Sequence, residues 1–102
     1  MRKIEKQMIE AIREKRNWES SNTKVVQGRS SGINYADIYL HGNHIATATP
    51  DTWGFRPYAN PNRAMFIAYP TVTTRSRLRA LGVNASIKNG AAHIDGMEVT
   101  HG

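Results

Sequence analysis

A chain of 102 residues with 14 Lys and Arg against 8 Asp and Glu, and only 8 aromatics, reads as one small domain with a thin core and a net charge of +6. It contains no cysteine, which excludes disulfides, thiolate metal sites and cysteine catalysis and fits a reducing cytoplasm. No apolar run approaches the roughly 18 residues of a spanning helix, and no apolar stretch follows the basic Met1-Arg2-Lys3 as a signal peptide would require, so a membrane is not an expected partner.

Residues 3–17 predict an amphipathic helix. Ile4, Met8, Ala11 and Ile12 share one face and Trp18 continues the line. The opposite face carries Arg2, Lys6, Arg13 and Arg16, interrupted by Glu5, Glu10 and Glu14, so it reads either as a phosphate-contacting stripe or as a solvated face laced with ion pairs. Glu19 to Thr23 is polar and ends the helix. Lys24–Gln27 is a short strand, and Gly28–Gly32 reads as a flexible loop, a surface hairpin or a disordered insertion.

The alternation over Ile33–Thr49, broken by His41-Gly42, predicts a β-hairpin. Residues 50–64 contain Pro50, Gly54, Pro57 and Pro61 and read as irregular. Met65–Tyr69 is an apolar strand candidate stopped by Pro70. Thr73 or Thr74 is expected to cap a second helix that runs to about Leu81, with Leu78 and Leu81 buried and Gly82 in the left-handed position after its end. Val83–Lys88 and Ala91–Ile94 flank Asn89-Gly90, a strong hairpin signal, and Asp95-Gly96 turns the chain into a last short strand over Met97–Val99. The predicted fold is α+β: a single domain over residues 1–102 with an N-terminal amphipathic helix, an antiparallel sheet of hairpins covered by helices on one face, a short second helix and a C-terminal β-hairpin.

Two segments carry binding chemistry. Thr74, Arg75, Arg77 and Arg79 lie near a helix N-terminus, where free N–H groups and the dipole welcome a phosphate; Arg75 and Arg79 share a flank and Arg77 faces the other way. The loop from Asp51 to Arg63 combines Trp53, Phe55 and Tyr58 with Arg56 and Arg63, a set that stacks unpaired bases and grips backbone, makes a protein-binding hot spot, or folds back to bury its aromatics over the core. His41 and His44 flank a turn, but no cysteine or close carboxylate joins them, so no metal is expected. Paired carboxylates, a phosphate loop and H-E-x-x-H are all missing, which makes a non-catalytic, cofactor-free protein the expectation.

The strings Tyr39-Leu40-His41-Gly42-Asn43-His44-Ile45-Ala46 and Thr71-Val72-Thr73-Thr74-Arg75-Ser76-Arg77-Leu78-Arg79-Ala80-Leu81, with Ile9-Glu10-Ala11-Ile12 and Asn17-Trp18 ahead of them, resemble small bacteriophage-encoded proteins. The resemblance touches about half the chain. It implies a bacterial host cytoplasm and brings no catalytic residues. Phage proteins of this size bind nucleic acid or disable a host factor, including anti-defence roles such as anti-CRISPR activity. Charge and residue types favour nucleic acid, DNA or RNA, as the partner. The alternative is an acidic host-protein surface anchored by Trp53, Phe55 and Tyr58. A homodimer through edge strands of the last hairpin is a third reading.

Overall fold

The computed structural model describes residues 2–49 and 58–100. Helix α1 (Lys3–Arg13) leads into a meander of β1 (Trp18–Ser20), β2 (Thr23–Ser30), β3 (Ile33–Leu40), β4 (Asn43–Thr49) and β5 (Tyr58–Pro61). Helices α2 (Arg63–Ala68) and α3 (Val72–Ala80) follow, then β6 (Ala85–Lys88), β7 (Ala91–Ile94) and β8 (Met97–Glu98). The first five strands form one antiparallel sheet in chain order, and the last three form a second, separate antiparallel sheet. The α+β architecture is the one the sequence predicts, and the last short strand expected over Met97–Val99 is present as β8.

Turn chemistry drives the meander. Ser31-Gly32, His41-Gly42, Asn89-Gly90 and Asp95-Gly96 all have positive φ at both residues. That conformation matches the right-handed twist of the strands it joins, and it strongly favours glycine at the second site. Between turns, period-two burial sends Val25, Ala36, Ile38, Ala46 and Ala48 inward, against Met8, Ala11 and Ile12 of α1 and Leu78 of α3. Small alanines at the sheet centre let the helices approach closely.

Several elements depart from the expectation. The first helix ends at Arg13 rather than residue 17. Lys15 takes φ 57°, the Arg16 N–H bonds Ala11 O at 3.0 Å and the Lys15 N–H bonds Ile12 O at 3.2 Å, which is a Schellman closure without glycine. Of the readings open for Gly28–Gly32 the surface hairpin is the one observed: Gly28–Ser30 belong to β2, and the Tyr35 ring packs so closely over Gly28 that a Cβ there would collide with it. Residues 58–61 form an edge strand whose Pro61 sits at its end, where a missing N–H is tolerated. The expected strand at 65–69 is helical, because the Asn62 side chain accepts the Met65 N–H at 3.2 Å and starts a turn. Thr71, not Thr73 or Thr74, caps α3: its hydroxyl accepts the Thr74 N–H at 3.1 Å. No described helix is long and apolar enough to cross a membrane.

Helix α3 closes as expected, with Gly82 at φ 91° and the Val83 N–H on Leu78 O at 3.0 Å. The two Schellman ends therefore respond oppositely to substitution. In urea titrations Gly82→Ala lowers stability by about 1 kcal/mol, and Lys15→Gly raises it by several tenths to about 1 kcal/mol, because an L side chain at positive φ is strained.

Candidate nucleic-acid interface

A polar cluster is buried beside the apolar core. Glu5, in the first turn of α1, and Arg77, in the middle of α3, are each 3% exposed. The Arg77 Nη1 donates to Glu5 Oε2 at 2.8 Å, its Nε to Thr23 Oγ1 at 3.0 Å and its Nη2 to Asn22 Oδ1 at 3.3 Å. The Ser76 hydroxyl donates to the same Glu5 oxygen at 2.6 Å, and the Arg2 backbone N–H reaches Glu5 Oε1 at 3.3 Å. Burial alone pushes the Glu5 carboxyl up, but the hydrogen bonds from Ser76, Arg77 and the Arg2 backbone, together with the Arg77 charge, outweigh it and hold the group below its ordinary value. No buried side-chain nitrogen or oxygen among the described residues lacks a partner.

This network decides which arginines reach water. With Arg77 turned inward, Arg75 and Arg79 lie on the outer flank of α3, four residues apart, and face Arg2 at the N-cap of α1. The three guanidinium-bearing side chains line one open cleft of about 300 Å³, completed by Val72, Ala80, Ser76 and Glu5. The Glu5 carboxylate that also lines it is ion-paired with Arg77. The cleft therefore presents three positive side chains from two elements that are distant in sequence.

The other candidate residues are distributed elsewhere. Arg77 is withdrawn from any surface, and Thr74 is buried with its hydroxyl on Thr71 Oγ1 at 2.9 Å, so neither is placed to meet a phosphate. Lys6, Arg13 and Arg16 are exposed on α1 or just beyond it and lie outside the cleft; Arg16 pairs with Glu14 at 2.6 Å. Arg63 is exposed at the start of α2. Trp53, Phe55 and Arg56 lie outside the described residues. Tyr58 is in β5, its backbone paired with Thr49. Glu5 was the missed residue. Its signal was a carboxylate three and seven positions before Met8 and Ile12, on the buried stripe itself.

A family model described as Kyanoviridae Gp96 protein matches residues 1–100. The chain belongs to this family. It is a phage protein family, in agreement with the origin implied by the Tyr39–Ala46 and Thr71–Leu81 strings. No curated protein and no solved structure matches the chain.

A second polar knot locks β3, β4 and α2 of this family member together. The Thr47 hydroxyl donates to Asp37 Oδ1 at 2.8 Å, and His44 Nε2 lies 3.0 Å from Thr47 Oγ1 and 3.2 Å from Asp37 Oδ1. Asn62 spends its Oδ1 on the Met65 N–H, so its amide NH2 faces His44 O at 3.0 Å and His44 Nδ1 at 3.4 Å. A donor facing Nδ1 makes that nitrogen the acceptor and leaves the proton on Nε2. No group of three or more His, Cys, Asp or Glu able to hold a metal ion occurs among the described residues.

Two measurements check these assignments. Nitrogen NMR at alkaline pH shows His44 in the Nε2–H tautomer. Arg77→Met costs about 3–5 kcal/mol at pH 7 by leaving Glu5 unpaired, and Glu5→Leu combined with Arg77→Met recovers part of that loss. The Glu5 contribution has a fixed sign with pH. It is complete above the ordinary value of 4.5 and is lost as pH falls through the lowered folded value, because the unfolded chain takes up the proton first. The double variant lacks that component of acid destabilisation.

Proposed function

We propose that this phage protein is a non-catalytic nucleic-acid-binding protein that grips the phosphate backbone through the Arg2, Arg75 and Arg79 cleft. The convergence of those three arginines on one concavity carries the reading. Arginine presents a planar fork of donors that suits phosphate oxygens, and its charge persists at any physiological pH. The net charge of +6 adds a long-range field that draws a polyanion toward the surface. Val72, 57% exposed beside the arginines, offers apolar contact to a sugar face.

One observation favours a second reading, a phage inhibitor docking on an acidic host protein. A small pocket of about 80 Å³ is lined by Leu40, Ile45 and Met65, by the polar His41, Asn43, Thr71 and Thr74, and by Tyr69, which is 51% exposed. An exposed tyrosine beside a partly apolar socket has the composition of a protein-binding hot spot.

Fluorescence anisotropy with a labelled oligonucleotide at several salt concentrations tests the main reading. Three phosphate contacts give a log–log salt slope of about 2–3, from roughly 0.7–0.9 per contact. Arg75→Ala with Arg79→Ala lowers affinity and cuts the slope by about 1–2, while Arg75→Lys with Arg79→Lys retains most of the slope. Absence of binding at low salt would falsify the reading. Capture of one stoichiometric host protein from nuclease-treated lysate, lost in Tyr69→Ala, supports the second reading instead.

A further inference from the structure

The β2–β3 hairpin outruns its neighbours. β1 pairs with β2 only over Thr23–Val25, and β4 pairs with β3 only from Ala36 to Leu40. Among the described residues, the pairs Gly28↔Tyr35, Arg29↔Asn34 and Ser30↔Ile33 have no further strand beside them, and Ser31-Gly32 at φ 52° and 79° closes them. Three residue pairs at about 3.3 Å each project roughly 10 Å before the turn is added. The Tyr35 ring over Gly28 braces the base of this ribbon from one side. From the other side the Gln27 amide donates to Arg16 O at 3.1 Å, and the Gln27 N–H donates to Asn17 Oδ1 at 2.7 Å. The ribbon is thus tied to the C-terminal end of α1, where Lys15 and Arg16 are exposed.

The tip carries an unusual selection of side chains. Arg29, Ser30, Ser31 and Ile33 are exposed, Ile33 at 61%, and Asn34 is half-buried opposite Arg29. No acidic residue occurs from Val26 to Tyr35. Arginine pairs with guanine O6 and N7, asparagine with adenine N6 and N7, serine with either, and an aliphatic group contacts the thymine methyl. The major groove of B-form DNA, about 12 Å wide and 8.5 Å deep, admits a two-stranded ribbon of this reach. The deep, narrow major groove of A-form RNA does not.

We propose that the β2–β3 ribbon reads the major groove of B-form DNA, with Arg29 and Asn34, a cross-strand pair on one face of the ribbon, on base edges, and Lys15 on a flanking phosphate. This rests on the nucleic-acid reading above and narrows it to duplex DNA with sequence preference. The test uses the full chain and a random-sequence 20-base-pair DNA library, with enriched duplexes compared against random DNA and against RNA duplexes of the same sequence. The expected result is enrichment of a defined sequence and preference for DNA over RNA. Arg29→Ala and Asn34→Ala each reduce the ratio of enriched to random affinity tenfold or more, as does N7 methylation of guanine in the enriched site. Arg29 is exposed and Asn34 half-buried near the tip, and an unchanged circular dichroism melt shows that the variants remain folded. Salt-dependent binding that still requires Arg75 and Arg79, but treats DNA and RNA duplexes alike and ignores the ribbon variants, overturns this inference and leaves the cleft reading standing. No binding of any oligonucleotide at low salt overturns both.

Discussion

A carboxylate and a guanidinium buried against each other hold this domain in register. Glu5 and Arg77 are 72 positions apart, and their contact joins the first turn of α1 to the middle of α3. Thr23 and Asn22 bring in the start of β2, and Ser76 adds a second donor from α3. Lysine would not serve here, because a single ammonium cannot face three acceptors in a plane. Such a pair adds little net stability over an apolar replacement, but each half is costly without the other. Its value in this fold is geometric: it sets the rotation of α3 and thereby chooses which of its arginines face solvent.

That rotation connects packing to charge. Arg77 inward places Leu78 and Leu81 on the core and Arg75 and Arg79 on the rim. Glu5, which would otherwise put a negative charge under the cleft, is already compensated. The same interaction that fastens the two helices thus leaves a cleft with three positive side chains and no uncompensated acid.

The molecule has basic groups at both ends of α1. Arg2 belongs to the cleft; Lys15 and Arg16 adjoin the base of the β2–β3 ribbon, because α1 lies along β2 with its N-terminus near Thr23 and its C-terminus near Gln27. Eleven helical residues separate the ends by roughly 16 Å. The sheet supplies the rigid spacer. Its inner face is packed with alanine, valine and isoleucine, and its outer face is fastened by the Asp37, His44, Thr47 and Asn62 knot.

Local backbone chemistry was legible in the residues. The His41-Gly42 and Asn89-Gly90 turns, the hairpins they close, the amphipathic α1 and the left-handed Gly82 all follow from requirements satisfied within a few positions. The Arg75 and Arg79 flank was legible too, because helical spacing alone puts them together. Elements whose partners are remote were not. β1 and β5 are strands because β2 and β4 offer them edges, and Met65–Ala68 is helical because Asn62 caps it; Asn62 is itself held by His44, eighteen positions earlier. The sequence by itself determined the turns, the strand alternation and the excess of positive charge. Only the tertiary structure decided that Arg77 is buried, that Glu5 meets it, and that Arg2 joins Arg75 and Arg79. Burying a charge is favourable only when its partner is in place, and here that partner comes from the far end of the chain.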